Sequence, residues 1–242
     1  MSAPKLVGLW PRHKSAELKT LPELPEADQL NQAAARIIAL RRTASANRAV
    51  LVGVSGIDAS GKGYVTAHLA SRVEQQDLRV ANINVDGWLN LPHLRFSTRE
   101  PGRHFYEHAL RLAEMFDQLI LPLRARRSLV LEMDYADETA TQYRRHRYEF
   151  HDVDVILLEG IFLLKRKFRQ HFDLTCWVDC SFATAVQRAI RRGQEGLTPE
   201  ETMRAFEMIY LPAQRLHFER DQPREAADLP IANDPHLTGR TF

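Results

Sequence analysis

The chain has 242 residues, of which 44% are hydrophobic and 26% charged, and its formal net charge is +2 at pH 7. These values are typical of one large soluble domain, with or without an extension, and leave enough apolar material for a core. The charge balance gives no argument for binding to nucleic acid or to a membrane surface, and no uncharged apolar run approaches the length of about 18 residues that a spanning helix needs. We therefore expect a cytoplasmic protein without nucleic-acid or membrane partners.

The first 48 residues are predicted to form an arm followed by a helix. Prolines recur through residues 1–25 and predict an irregular segment there. The spacing of apolar residues between Leu30 and Ile37 predicts an amphipathic helix over 26–42. We accordingly divide the chain into an N-terminal arm and helix, 1–48, and a main domain, 49–242. The sequence leaves the role of the first part open.

Short apolar runs alternate with helical patterns through the rest of the chain. Strands are predicted at 49–54, 79–85, 129–131, 152–159, 174–178 and 227–232, the last at a sheet edge because Pro230 cannot donate to a ladder. Helices are predicted at 62–76, 108–121, 163–171, 182–192 and from Thr198 onwards, with a long loop at 90–104. This alternation predicts an α/β fold with a mostly parallel sheet and helices on both faces.

Cysteines and basic clusters carry little functional information by themselves. Cys176 and Cys180 lie four residues apart in an apolar stretch, too far along a strand to form a disulfide without distortion, so free thiols are expected. Basic residues cluster at 144–147, 165–169 and 188–192, and such clusters usually form solvated faces. The third cluster gains a functional interpretation only from its position in the chain.

A glycine-rich turn follows the first strand of the main domain and precedes a helix. It has the GxxxxGK spacing of a Walker A loop, formed by Gly56, Ile57, Asp58, Ala59, Ser60, Gly61 and Lys62. The glycines let successive backbone N–H groups point at phosphate oxygens, and the lysine places a cation beside the β- and γ-phosphates. The turn therefore predicts a P-loop that binds ATP, although the motif does not distinguish ATP from GTP.

The residue after the lysine departs from the Walker pattern. A serine or threonine there normally offers a hydroxyl to Mg²⁺, whereas this chain has Gly63. Either Mg²⁺ is held through water and carboxylates, or nucleotide binding is weakened.

Two carboxylates are predicted at strand ends, where ligands gather in open α/β sheets. Asp86 follows the second strand of the main domain and could accept a proton from an attacking hydroxyl or hold the metal, or it could simply form a turn with Gly87. Glu159 ends the strongest apolar strand, as a Walker B carboxylate does, and suits Mg²⁺. Together with Lys62, these carboxylates predict a phosphoryl-transfer site.

The helix predicted over 182–192 carries Arg188 and Arg192 and is followed by Gly193 and Gly196. Phosphoryl transfer needs cations that close over the phosphates and neutralise developing charge. We interpret the two arginines as part of a mobile lid, with a solvated helix surface as the alternative.

In this order, the motifs resemble those of the uridine kinase and phosphoribulokinase family of P-loop kinases. The likeness covers about residues 49–234 and is carried by the P-loop, Asp86-Gly87-Trp88-Leu89, Leu157-Leu158-Glu159-Gly160-Ile161-Phe162, the segment 178–192, and Ala227-Asp228-Leu229-Pro230-Ile231. The resemblance implies that Lys62 and the loop backbone hold the ATP phosphates. It also implies that Asp86 acts as the base, Glu159 helps to hold Mg²⁺, and the two lid arginines close over the site.

The resemblance defines the acceptor less well. Uridine kinases usually have Asp-Ser-Phe-Tyr where this chain has Asp86-Gly87-Trp88-Leu89, which is similar to the Asp-Gly-Phe of the related pantothenate kinases. The nucleoside-contacting block of the family is matched loosely by Asp134-Tyr135 and Arg144. The resemblance therefore implies Trp88, Tyr135 and Arg144 as acceptor-binding residues without fixing the acceptor.

The main hypothesis is an ATP- and Mg²⁺-dependent kinase that phosphorylates a hydroxyl of a small molecule, with a nucleoside such as uridine as first candidate. A pantothenate-like or sugar-like alcohol is the alternative acceptor. A nucleotide-binding regulator without turnover is a third hypothesis, motivated by Gly63. The oligomeric state stays open, with a homo-oligomer among the options.

Overall fold

The computed structural model of the protein describes residues 27–193 and 196–235, so the predicted arm over 1–25 lies outside the described residues. The strands are β1 (Val50–Gly56), β2 (Val80–Asn84), β3 (Leu129–Tyr135), β4 (Arg144–Phe150), β5 (Val155–Gly160), β6 (Leu174–Asp179) and β7 (Leu229–Ala232). The helices are α1 (Ala27–Thr43), α2 (Lys62–Glu74), α3 (Pro92–Arg95), α4 (Pro101–His108), α5 (Leu112–Met115), α6 (Leu121–Arg126), α7 (Arg166–Arg169), α8 (Phe182–Arg192), α9 (Pro199–Ala205), α10 (Leu211–Asp221) and α11 (Pro223–Ala226).

Five parallel strands form the central sheet in the order β2-β5-β1-β6-β7. The strands β1, β5 and β6 are buried along their whole length, as expected for a sheet covered on both faces. The predicted α/β fold with a mostly parallel sheet is confirmed, and β7 lies at an edge as Pro230 predicts. Because the strands are parallel, their carboxyl ends share one edge of the sheet, and this edge positions the candidate site.

Alternating side chains fill two cores on opposite faces of the sheet. The valines of β1 pack with α1 and α2 on one face, whereas Leu51 faces the other core. Helix α1 contributes Leu30 and Ile37, both fully buried, to the first of these cores. Burial of such a side chain stabilises the fold by about 1.5–3 kcal/mol. Helix α1 is therefore a covering layer of the main sheet.

Three predictions of secondary structure are wrong. The segment 90–104 is not a long loop, because it contains α3 and the start of α4. Each of these helices has a proline in its first turn, where the missing N–H leaves no helical hydrogen bond unmade. The helix predicted over 108–121 begins at Leu112 and continues through the π-helical turn Phe116–Ile120 to Arg126. Of the helix predicted over 163–171, only Arg166–Arg169 is helical.

The third predicted strand exists, but it forms a separate two-stranded antiparallel sheet and is not part of the main sheet. Strand β3 pairs with β4, which the sequence analysis did not predict. In β4, Arg145 and Arg147 are exposed, whereas His146 and Tyr148 between and after them are partly covered. This alternation with a period of two indicates a strand, but the arginines had suggested only a solvated face. The hairpin brings the end of β3 next to the turn that follows β2.

Several local predictions in the second half of the chain are confirmed. Thr198 caps α9 in a capping box with Glu201, and the π-helical turn Phe206–Tyr210 continues α9 into α10. Helix α8 ends at Arg192, and Gly193 follows in a left-handed conformation. Both cysteines are free thiols. Across the described residues, no helix combines the length and the apolar character required to cross a membrane.

Candidate active site

The loop between β1 and α2 forms a cradle at the carboxyl edge of the sheet. Lys62 is the first residue of α2, a 13-residue helix whose N terminus therefore faces the loop. Gly61 precedes it with φ of 91°, a left-handed conformation that favours glycine, and a Cβ at this position would overlap the side-chain amide of Asn233. The Lys62 ammonium folds over the loop and donates to the carbonyl of Ile57 at 2.8 Å. Backbone N–H groups, a helix N terminus and a lysine together make an anion-binding site.

Three side chains from distant elements hold the cradle in place. The carbonyl of Ser60 accepts hydrogen bonds from Nη1 of Arg188 at 3.1 Å and from Nδ2 of Asn233 at 2.6 Å. Nε2 of Gln214, on α10, donates to Oδ2 of Asp58 at 2.8 Å. Asn233 and Gln214 were not predicted. Asn233 follows the last strand, so the rule that ligands gather at the carboxyl ends of parallel strands would have identified it. Gln214 has no local sequence signal.

Asp86 lies in the 3₁₀ turn Val85–Gly87 that follows β2. Its side chain is exposed to solvent, although many protein atoms surround its carboxyl group. Desolvation by these atoms raises the pKa of Asp86 above the ordinary value, and the carboxylates of Glu138 and Asp58 raise it further. Lys62 and Arg192 lower the same pKa and so partly oppose the rise. A carboxylate with a raised pKa beside cations is suited to accept a proton from a substrate.

Glu159 is buried in β5, with only 7% of its surface exposed. Its Oε1 accepts a hydrogen bond from Nδ2 of Asn84 at 2.6 Å. Burial raises the pKa of Glu159, Lys62 opposes the rise and Asp86 adds to it. The two carboxylates therefore repel each other across the site, and a divalent cation would relieve this repulsion.

The donor set fits an Mg²⁺ ion that is shared with a nucleotide. Within residues 27–193 and 196–235, no three or more acidic, histidine or cysteine side chains converge to hold a metal ion. The residues in these two ranges therefore do not build a full metal cage of their own. Mg²⁺ bound with nucleotides needs only one or two protein carboxylates, because phosphate oxygens and water supply the other ligands. Glu159 and Asp86 are the two carboxylates that would hold it.

The structure brings both predicted lid arginines to the site. Arg188 and Arg192 lie four residues apart on α8 and therefore share one face of the helix. Arg188 contacts the P-loop backbone, and Arg192 lines a cleft together with Asp58 and Tyr210. Arg192 also lies close enough to Asp86 to lower its pKa. Both cations thus face the region between the P-loop and the Asp86 turn.

The hairpin supplies the wall of the cleft next to Asp86. The ring of Tyr135 packs on Gly87, where a Cβ would lie 2.5 Å from Cε2 of the ring. The guanidinium of Arg144 lies over the same ring, 4.5 Å from its centroid. Trp88, in contrast, has no exposed surface and stacks on Tyr148. The prediction that Trp88 contacts the acceptor is therefore wrong: its ring points into the core and anchors the Asp86 turn.

We expect Gly87→Ala to weaken acceptor binding but not ATP binding. The new Cβ would overlap the Tyr135 ring, so the ring must leave its place beside Asp86. A rise of about tenfold in the KM for the acceptor, about 1.4 kcal/mol, is expected from steady-state kinetics in which each substrate is varied. The matched control is Tyr135→Ala, in which a second change of Gly87→Ala should have no further effect. An unchanged KM for the acceptor in Gly87→Ala alone would contradict this role of the ring.

Comparisons with known proteins find kinases among the similar proteins. No protein-family model matches the chain. The uridine kinase of Cronobacter sakazakii is 24% identical over 177 residues, which cover 70% of this chain and 81% of that enzyme. The structure of a possible uridine kinase from Bacillus stearothermophilus superposes with a TM-score of 0.65 at 20% identity, covering 85% of this chain and 98% of that one. D-glycerate 3-kinase from Cryptococcus neoformans gives a TM-score of 0.60 at 14% identity, covering 88% and 99%.

The similarities confirm the predicted resemblance to uridine kinase-like P-loop kinases. The matched proteins are named for different acceptors, uridine and D-glycerate, so the resemblance extends to the kinase type and not to one acceptor.

Proposed function

We propose that this uridine kinase-like chain transfers the terminal phosphoryl group of ATP to a hydroxyl of a small, neutral, hydroxyl-rich molecule, with a nucleoside such as uridine as first candidate. The observation that carries the proposal is the convergence at one sheet edge of the P-loop lysine, two carboxylates and two lid arginines. Groups of these kinds take part in phosphoryl transfer in P-loop kinases.

ATP would bind with its phosphates in the cradle, between the N terminus of α2 and the Lys62 ammonium. A bound Mg²⁺ would neutralise phosphate charge, with Glu159 and Asp86 holding it. Asp86 accepts the proton of the attacking hydroxyl while the oxygen of that hydroxyl forms a bond to the terminal phosphorus. The bond from that phosphorus to ADP breaks in line, and Lys62, Arg188 and Arg192 stabilise the charge on the transferred group.

The electrostatics of the cleft support a neutral acceptor. Asp58 and Glu138 place negative charge near Asp86, as their effect on its pKa indicates, and the nearby cations Lys62 and Arg192 would be engaged by the phosphates of ATP. An anionic acceptor would meet like charges there, whereas hydroxyl groups can donate hydrogen bonds to these carboxylates. Nucleosides and neutral sugar-like alcohols fit this environment.

A pantothenate-like acceptor carries a carboxylate and would need a cation on the wall of the cleft. Arg144 is the cation that favours this alternative, because it lies exposed over Tyr135. Its guanidinium is 3.8 Å from the carboxylate of Asp137, which offsets part of its charge. We therefore rank nucleosides first, sugar-like alcohols second and anionic alcohols third.

The test is a coupled assay of ADP release with ATP and Mg²⁺ against uridine, cytidine, other nucleosides, neutral sugar alcohols, pantothenate and D-glycerate. We expect one neutral acceptor to raise turnover well above the ATPase background. Stimulation by pantothenate or D-glycerate alone would contradict the proposed acceptor class. A flat panel from protein that still binds ATP would favour a nucleotide-binding regulator without turnover.

A further inference from the structure

Asn84, the last residue of β2, makes two hydrogen bonds that join the two carboxylates of the site. Its Nδ2 donates to Oε1 of Glu159 at 2.6 Å, and its Oδ1 accepts from the backbone N–H of Asp86 at 2.7 Å. The orientation of the amide follows from its partners. The Asp86 N–H can only donate, so the amide oxygen must face it, and the NH₂ group is left for the Glu159 carboxylate.

Gly63 lies on another side of the same carboxylate. A Cβ at this position would lie 3.3 Å from Oε2 and 3.6 Å from Oε1 of Glu159. This is the position at which Walker A loops have a serine or threonine whose hydroxyl binds Mg²⁺. The Glu159 carboxylate therefore lies beside the place where the missing side chain would begin. Its Oε1 is engaged by Asn84, and Oε2 is the oxygen closer to Gly63.

We propose that Asn84 is a positioning residue that holds Glu159 beside the position of the missing Walker hydroxyl and fixes it relative to Asp86. This inference rests on the proposed function of the site. The NH₂ group of the amide orients the Glu159 carboxylate. The amide oxygen orients the turn that carries the Asp86 carboxylate. The metal-binding group and the base thereby keep a constant separation, which in-line transfer requires.

If Asn84 had only a structural role, a variant that keeps its cap of the turn should bind the metal like wild type. Only the bond to the Asp86 N–H supports the fold of the chain. The bond to the Asp86 N–H caps the turn, and a serine can replace asparagine in such a cap. A serine is too short to reach Glu159 as well. Asn84→Ser therefore keeps the cap and removes the bond to Glu159, whereas Asn84→Ala removes both.

The experiment measures Mn²⁺ binding, as a spectroscopic substitute for Mg²⁺, by electron paramagnetic resonance in the presence of a non-hydrolysable ATP analogue. Wild type, Asn84→Ser, Glu159→Gln and the double variant are compared, with melting temperature and metal-free nucleotide binding as controls. We expect Asn84→Ser to weaken Mn²⁺ binding about tenfold or more while both controls stay close to wild type. In the Glu159→Gln background, Asn84→Ser should change Mn²⁺ affinity no further.

Wild-type Mn²⁺ affinity in Asn84→Ser, or an equal loss in both backgrounds, would overturn the role of Asn84. The assay needs no acceptor and no turnover, so it can succeed even when the acceptor panel shows no kinase activity. Absence of nucleotide-dependent Mn²⁺ binding in wild type would overturn both the role of Asn84 and the proposed function.

Discussion

Replacing Lys62 with alanine is expected to lower kcat by a factor of about 10³ with any acceptor that stimulates the wild type. The ammonium is the cation that begins α2 inside the cradle, and its attraction to the transferred group grows as charge develops there. Loss of one preorganised group of this kind typically lowers kcat by about 10²–10³, and a full cation should lie at the upper end. The measurement is acceptor-dependent ADP release at saturating ATP.

The variant should fold normally, which makes the result interpretable. Within the described residues, the ammonium donates a hydrogen bond to the Ile57 carbonyl, and this bond belongs to the loop and not to the core. The melting temperature of Lys62→Ala should therefore stay within a few degrees of wild type. Arg188→Ala is a useful companion, because it removes a different cation from the same loop. Near-normal turnover in Lys62→Ala would contradict the assignment of the P-loop.

Asp86→Asn is expected to lower kcat by a comparable factor, about 10²–10⁴, while ATP binding is largely kept. The asparagine has nearly the same shape but cannot accept the proton of the acceptor hydroxyl. Its neighbours Lys62 and Arg192 stay in place to bind phosphates. Steady-state kinetics and equilibrium binding of a fluorescent ATP analogue measure the two effects separately. Wild-type turnover in this variant would contradict the role of Asp86 as the base.

The raised pKa of Asp86 adds a pH dependence with a definite sign. The carboxyl must be ionised to act as a base, so kcat/KM should rise with pH as the Asp86 carboxyl loses its proton. For the stability of the fold, ionisation of Asp86 has an unfavourable effect. The folded state holds the proton more tightly than the unfolded state, so the ionised form at neutral pH destabilises the fold. Asp86→Asn should therefore have a melting temperature at pH 7 equal to or above wild type, and a clear drop would contradict the desolvation that we assign to Asp86.

Much of the fold could be predicted because its signals are local. Residues 49–52 and the run before Glu159 are apolar at consecutive positions, which is typical of strands buried on both faces. The cradle could be predicted for the same reason, since Gly56 to Lys62 act through backbone geometry at fixed spacing. Asp86 and Glu159 followed from the rule that parallel strands present their carboxyl ends together.

The parts that could not be predicted depend on contacts between distant segments. In the hairpin β3–β4, the charged residues of β4 obscured the period of two that indicates a strand. Because the hairpin was not predicted, the packing of Tyr135 on Gly87 was not predicted either. The bond between Gln214 and Asp58 joins residues 156 apart in the chain. The resemblance implied that Trp88 contacts the acceptor, but its ring is fully buried whereas Asp86, two residues before it, is exposed.

Gly63 illustrates how a departure from a motif can be explained only in three dimensions. From the sequence, a missing hydroxyl implied either weak nucleotide binding or a metal held by other groups. In the structure, the Glu159 carboxylate lies against the place where a side chain at residue 63 would begin. A serine at this position would therefore have to displace that carboxylate by a few tenths of an ångström or donate to it. The absence of a side chain at Gly63 thus leaves room for the Glu159 carboxylate in its present position.

The most direct test of phosphoryl transfer follows the label itself. ATP labelled with ³²P at the terminal phosphate is incubated with the protein, Mg²⁺ and the acceptor that stimulates ADP release, with Lys62→Ala and Asp86→Asn as controls. We predict that label appears in the phosphorylated acceptor, in an amount equal to the acceptor-dependent ADP, and that both variants lower the rate of transfer by the factors expected for kcat. Label found only in inorganic phosphate, or transfer at a near-normal rate in Lys62→Ala, would contradict the assignment of this site as a kinase centre.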